Sequence, residues 1–254
     1  MSQGPIKAVL FDIGDTLVNF GKVSTFRVFK EGSRLSYDFL RDLGQPVGNF
    51  TWYFWRNLIS LQRRLFISYL TGNDFDSLEV IRGVGRRKGV ELTDEQWEKL
   101  AVIWYEPLRR IAHPEPQTIE TLKSLQQQGL KLGILSNTFI HGTSIERHLT
   151  EMGLLEFFPV RLYSYEFSFR KPDPRIFTEG LKRLGETPAH VLYVGDRIRN
   201  DIIPTLKLGM LAALKRAYSN AGKQPPAGAW TIDKLAELPG LIERFNKSNM
   251  LSAV

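Results

Sequence analysis

Apolar and polar positions fall into two different rhythms along this chain. A short unbroken apolar run, Ala8-Val9-Leu10-Phe11, follows Gly4-Pro5 and ends at Asp12. Runs of this kind are buried parallel strands. From about Val23 to Ala112 the period becomes helical. Phe26, Phe29, Leu35, Phe39, Leu40 and Leu43, then Trp52, Phe54, Trp55, Leu58, Leu61, Leu65 and Tyr69, largely follow spacings of three and four. Gly44-Gln45-Pro46 and Thr71-Gly72-Asn73-Asp74 punctuate the pattern. Thr93, with Gln96 three residues on, has the form of a capping box. The stretch predicts an insertion of four or five helices whose aromatics form its own core.

Beyond His113-Pro114-Glu115-Pro116, an extended link, strands and helices alternate. Helices are expected over Thr118–Gln128, Ser144–Met152, Pro174–Leu184 and Ile202–Leu208, each followed by a glycine suited to the left-handed cap: Gly129, Gly153, Gly185 and Gly209. Strands are expected over Lys131–Ser136, Arg161–Tyr165, His190–Gly195 and Met210–Leu214, a loop over Ser219–Gly228, and a last helix over Leu235–Phe245. This alternation implies an α/β fold, a doubly wound and mostly parallel sheet. The expected division is a core of residues 1–18 and 114–246, a helical insertion over 19–113, and a tail over 247–254, frayed from Asn246.

The chain of 254 residues contains no cysteine, which excludes disulfides and thiolate metal sites. The start lacks the pattern of a signal peptide, and no apolar run is long enough to span a bilayer. A cytoplasmic location without a membrane partner is therefore expected. The net charge of +7 favours anionic partners, above all phosphorylated metabolites. The basic stretch Arg82-Gly83-Val84-Gly85-Arg86-Arg87-Lys88 reads as a solvated turn, and a nucleic-acid partner is not expected.

Candidate chemistry sits where strands end. An aspartate after a buried strand is costly unless its charge is used or neutralised, and ligand sites of open α/β sheets lie beyond the carboxyl ends of the strands. Asp12, Ser136 and Asp196 occupy such positions and are expected to converge, with Lys171 delivered by the loop Lys171-Pro172-Asp173-Pro174. A carboxylate can attack phosphorus and divide one difficult step into two. Asp12 and Asp196 suit a Mg²⁺ ion, which binds through one or two carboxylates and the substrate phosphate. Ser136, with the backbone near Asn137, would donate to phosphate oxygens, and Lys171 would offset the negative charge. Singly, each of these residues has a plainer explanation as a turn, a cap or a solvated charge.

Together, Phe11-Asp12-Ile13-Gly14-Asp15-Thr16-Leu17, Leu135-Ser136-Asn137, Lys171 and Gly195-Asp196-Arg197-Ile198-Arg199-Asn200-Asp201 resemble the four motifs of the haloacid dehalogenase-like superfamily. The resemblance runs from Lys7 to about Leu238, with the insertion where C1-type helical caps sit. It implies a Rossmann-like core, Asp12 as nucleophile, Ser136 and Lys171 as catalytic partners, and Ser136, Asn137 and Lys171 as phosphate-binding residues. It also implies Mg²⁺ held by Asp12, Asp196 and the Gly14 carbonyl, with Asn200 or Asp201 in support.

The chain departs from that family at Gly14. Most phosphatases of the superfamily carry an aspartate there as general acid and base; here Asp15 occupies the usual glycine slot instead. The expected activity is cleavage of a small phosphorylated metabolite through an aspartyl-phosphate, with Asp15 as a stand-in acid or as a turn residue. The alternatives are a C–P or C–halogen hydrolase using the same nucleophile, and a catalytically weak binding protein.

Overall fold

A computed structural model describes residues 4–251 and the side chains of residues 4–249. Six strands form one parallel sheet: β1 (Ala8–Phe11), β4 (Lys131–Ser136), β5 (Val160–Tyr163), β6 (Val191–Gly195), β7 (Leu211–Lys215) and β8 (Trp230–Ile232). Their order is β5-β4-β1-β6-β7-β8, so the chain winds outward in both directions from β1. All neighbouring strands are parallel: Phe11 lies opposite Ile134 of β4 and Val194 of β6. The central strands are buried along their length, which explains their unbroken apolar sequences.

One face of the sheet packs on a cluster that includes Val9, Phe11, Leu122, Leu125, Phe158, Val194 and Ile242; the other packs on Leu10, Leu135, Ile176, Phe177 and Tyr193. Helices α5 (Thr118–Gln127), α6 (Gly142–Glu151), α7 (Pro174–Leu184), α8 (Ile203–Lys207) and α9 (Leu238–Leu251) complete this layered fold. Gly129, Gly153, Gly185 and Gly209 all adopt positive φ, as their positions after helices required.

Four helices lie between the second and third strands: α1 (Thr25–Asp42), α2 (Phe50–Thr71), α3 (Ser77–Arg86) and α4 (Asp94–Arg109). Their own core includes Leu40, Tyr53, Leu78, Trp97 and Leu100. The capping box is present: Thr93 Oγ1 accepts from Gln96 N at 3.2 Å, and Gln96 Oε1 accepts from Thr93 N at 2.9 Å. The basic stretch is partly structural. Arg82 pairs with Glu79 and Asp94, and a side chain at Gly85 would collide with Trp97.

The chain enters and leaves this bundle through a small antiparallel ribbon, β2 (Val18–Asn19) with β3 (His113–Pro114). Pairs this short leave no periodicity to read. Strand β8, three residues after a glycine- and proline-rich loop, escaped the pattern for the same reason. The expectation of a frayed tail from Asn246 is corrected. Helix α9 continues to Leu251, and Asn246 is tied to Ile6: its Oδ1 accepts from Ile6 N at 2.7 Å and its Nδ2 donates to Ile6 O at 3.0 Å. Residues 252–254 of the expected tail lie outside the described residues.

Candidate active site

The strand order brings the candidate residues together. Asp12 follows the central strand β1, Ser136 ends β4 on one side, and Asp196 follows β6 on the other. Asp12 is held in line by its backbone N–H, which donates to Val194 O at 2.9 Å. Its carboxylate Oδ1 accepts from Ser136 Oγ at 2.8 Å and from Lys171 Nζ at 2.9 Å.

Lys171 is buried, and its ammonium is fully partnered. Besides Asp12 it reaches Asp201 Oδ1 at 2.7 Å and donates to Tyr193 Oη at 2.8 Å. The Tyr193 hydroxyl in turn donates to Leu135 O at 2.8 Å. Burial works against the Lys171 charge, yet the Asp12 and Asp201 carboxylates hold its pKa above the ordinary lysine value. Asn137 fixes the Lys171 backbone from both sides: its Nδ2 donates to Lys171 O at 2.8 Å and its Oδ1 accepts from Lys171 N at 2.9 Å. Both ends of that amide are thus spent on positioning the lysine.

Asp201 stands in a π-helical turn, Ile198–Ile202, and its Oδ2 accepts from Arg197 N at 2.8 Å. Such turns recur at functional sites. Gly195 makes room for it: a Cβ there would lie 2.6 Å from Asp201 Cγ. Burial raises the Asp201 carboxyl above its usual value, with Lys171 opposing. Asn200, in the same turn, is half-buried and lines a polar cavity of about 770 Å³ beside Lys171, together with Arg170, Arg197 and Arg199.

Two partners of Asp196 come from the polar loop after β7. Ser219 Oγ donates to Asp196 Oδ2, and Asn220 Nδ2 donates to Asp196 O at 2.8 Å. Nothing in their spacing marks Ser219, Asn220 or Tyr193; the signal is positional, since the loop after β7 opens on the same sheet edge as Asp196.

Asp196 Oδ1 is buried without a partner. Burial, with the Asp12 carboxylate next to it, raises the Asp196 carboxyl to about 7. Carboxylate oxygens of Asp12, Asp196 and Asp201 lie within 4.8 Å of one another. Two of the three buried acids, Asp12 and Asp201, share Lys171, while Asp196 keeps one oxygen that faces no donor. That all-oxygen donor set fits a hard divalent cation such as Mg²⁺.

The loop after β1 clarifies the Gly14 departure. The strand ends at Phe11, and the Ile13 carbonyl accepts from the N–H groups of Thr16, Leu17 and Val18. Gly14 bridges to Val18, so the turn sets its direction rather than strand alternation. Asp15 has φ of 55°, a left-handed conformation that Asp tolerates better than most side chains. Its carboxylate turns back to accept from Phe20 N at 3.3 Å, the part of a turn residue.

A family model for haloacid dehalogenase-like hydrolases matches residues 6–207. The chain belongs to this family. It is a haloacid dehalogenase-like hydrolase with the α/β fold of that family. It is 28% identical to a glyceraldehyde 3-phosphate phosphatase of Methanopyrus kandleri over 248 residues, 95% of this chain and 99% of that protein. It is 35% identical to one of Methanocaldococcus jannaschii over 141 residues, 54% of this chain and 60% of that protein. The structure of a phosphatase of the family from Thermococcus onnurineus superposes with a TM-score of 0.58 at 25% identity, covering 93% of this chain and 98% of that one. No described helix of this hydrolase is long and apolar enough to cross a membrane.

Proposed function

We propose that this hydrolase is a Mg²⁺-dependent phosphomonoesterase of small phosphorylated metabolites, working through an aspartyl-phosphate on Asp12. The observation that carries the reading is the buried trio Asp12, Asp196 and Asp201, with Lys171 bridging Asp12 and Asp201 and one Asp196 oxygen left without a donor. Phosphoryl transfer is mostly a matter of positioning and of neutralising the oxygens around phosphorus. Asp12, Asp196 and the Gly14 carbonyl would hold the Mg²⁺, with Asp201 supporting, and the ion would supply that neutralisation. Ser136 and Lys171 both donate to Asp12 Oδ1, leaving Oδ2 as the attacking oxygen. When phosphate arrives, the same two donors, with the backbone near Asn137, bind its oxygens. The attack breaks the P–O bond to the alcohol; water then cleaves the acyl phosphate and restores Asp12. Glyceraldehyde 3-phosphate, named for the relatives from Methanopyrus kandleri and Methanocaldococcus jannaschii, is the first substrate to try.

In this reading residues 1–18 and 114–246 form the catalytic core, and helices α1–α4 form a cap that closes over it. The loop between α2 and α3 supplies the clasp. Asp74 accepts from Ser164 Oγ and from Arg170 Nη1, the latter at 2.6 Å, and Asp76 meets His141 at 2.8 Å. Ser164 in turn accepts from Thr138 N at 2.9 Å, two residues from Ser136, which links the clasp to the site. The test is phosphate release from a panel of phosphorylated metabolites with and without Mg²⁺. Metal-dependent release from at least one is expected; no release from any, or release unaffected by metal removal, would overturn the reading.

A further inference from the structure

Helix α2 carries an apolar face that nothing in the chain covers. Of the thirteen exposed large hydrophobic side chains among the described residues, eight lie on this one helix. Tyr53, Phe54 and Asn57 fill its inner side. The outer side presents Trp52 at 71% exposure, Phe66 at 63%, Tyr69 at 79% and Leu70 at 66%, with Trp55 and Ile59 between them. These positions recur at helical spacing, so they form one stripe from Trp52 to Leu70 of the 22-residue helix, about 27 Å long.

We propose that this stripe is the two-fold interface of a homodimer, formed by α2 against α2 of a second copy. Area supports it. Full burial of an aromatic side chain removes about 150–250 Å² from water, so the four exposed aromatics offer about 500 Å². Ile59 and Leu70 add about 100–150 Å². The total exceeds the largest apolar patch of a typical monomer, about 300–600 Å², and approaches the roughly 800 Å² that each partner buries in a stable complex.

Composition supports it as well. The helix has Trp, Tyr, Phe and Arg but no Lys, Asp or Glu, the bias of interface centres rather than of solvated faces. An isologous contact also requires the patch to complement itself. Pairing the helices antiparallel about a point between Gln62 and Arg63 sets Trp55 against Leu70, Ile59 against Phe66 and Arg56 against Tyr69. At these levels apolar groups meet apolar groups, while Arg56 meets the Tyr69 ring and Arg63 the Gln62 amide, where guanidinium stacks well. The C-terminal end of α2 also lines the cavity beside Lys171. The interface therefore fixes one wall of that cavity.

Sedimentation of the full chain at micromolar concentration tests the proposal. The expected mass is twice the 29.1 kDa of one chain. Ile59→Glu should weaken the dimer by about 100-fold or more, because the two-fold buries two unpaired carboxylates. Circular dichroism of that exposed-site variant reports whether it is folded. The chain has no cysteine, so Gln62→Cys provides a second measurement independent of that variant. It should join two chains through a short bis-maleimide, whereas Lys123→Cys on the core surface should not. A monomer at every concentration would overturn the proposal, as would a dimer that survives Ile59→Glu. A monomer whose stripe binds vesicles containing phosphatidylglycerol would assign the face to a lipid surface instead, and would overturn it equally.

Discussion

Restoring a carboxylate at Gly14 isolates the step that this site is least equipped to perform. An ideal Cβ at Gly14 would meet only the Phe20 ring, at 3.7 and 4.0 Å, and Gly14 does not share the positive φ of Asp15. Gly14→Asp therefore fits without displacing backbone. The new acid would stand on the Asp12 loop, near the buried trio of carboxylates. Like charges nearby raise its pKa and favour the protonated form, the state a general acid needs. General acid–base catalysis is typically worth about 10²–10⁴-fold, or about 2.7–5.4 kcal/mol of barrier. Turnover of an alkyl phosphate, whose alkoxide leaves poorly, should rise toward that range, while turnover of p-nitrophenyl phosphate should change little. Asp15→Asn is the control, since Asn keeps both the left-handed backbone and an oxygen for Phe20 N. It should leave turnover nearly unchanged, given that Asp15 serves the turn. Loss of activity in Asp15→Asn, with no gain in Gly14→Asp, would refute the reasoning and make Asp15 the acid.

Lys171→Met leaves Asp12 and Asp201 without their buried cation and should cost about 3–5 kcal/mol in urea unfolding; a loss below about 1 kcal/mol would contradict the ion-pair account. His141 titrates at the clasp, facing Asp76, Glu98 and Arg82. The hydrogen bond to Asp76 raises its pKa above 6.5 although burial opposes, so its stabilising contribution is full below about pH 6.5 and fades as pH rises through the raised value. Melting temperature between about pH 5 and 8 should carry this slope in the parent and lose it in Asp76→Asn, which keeps the α3 cap; an unchanged slope would discard the clasp as a pH-sensitive contact.

Much of the site was legible because parallel strands impose it. Once Ala8–Phe11, Lys131–Ser136 and the run ending at Gly195 read as parallel strands, Asp12, Ser136 and Asp196 had to share an edge. The insertion was legible from its period, and α7 from Pro174 and Gly185 at its ends. The partners of Asp196 were not legible. Ser219 and Asn220 belong to a polar loop, and nothing local separates a serine that holds a carboxylate from one that faces water. Tyr193 reads as one apolar position within a strand, although its hydroxyl completes the Lys171 shell. Asn137 stands in the second motif, yet only the tertiary structure shows both amide ends spent on the Lys171 backbone. The exposed stripe of α2 had the same spacing as a buried one, and periodicity does not reveal which face a neighbour covers.

The measurement closest to the central claim is phosphate release by Asp12→Asn, on the best substrate of the parent and with Mg²⁺ present, beside its unfolding curve. Asparagine preserves the shape at Asp12 and can still accept from Ser136 and Lys171, but it cannot attack phosphorus as a carboxylate. The account predicts a folded protein whose turnover falls to background. A folded variant that releases phosphate at a rate near that of the parent would show that Asp12 is not the nucleophile.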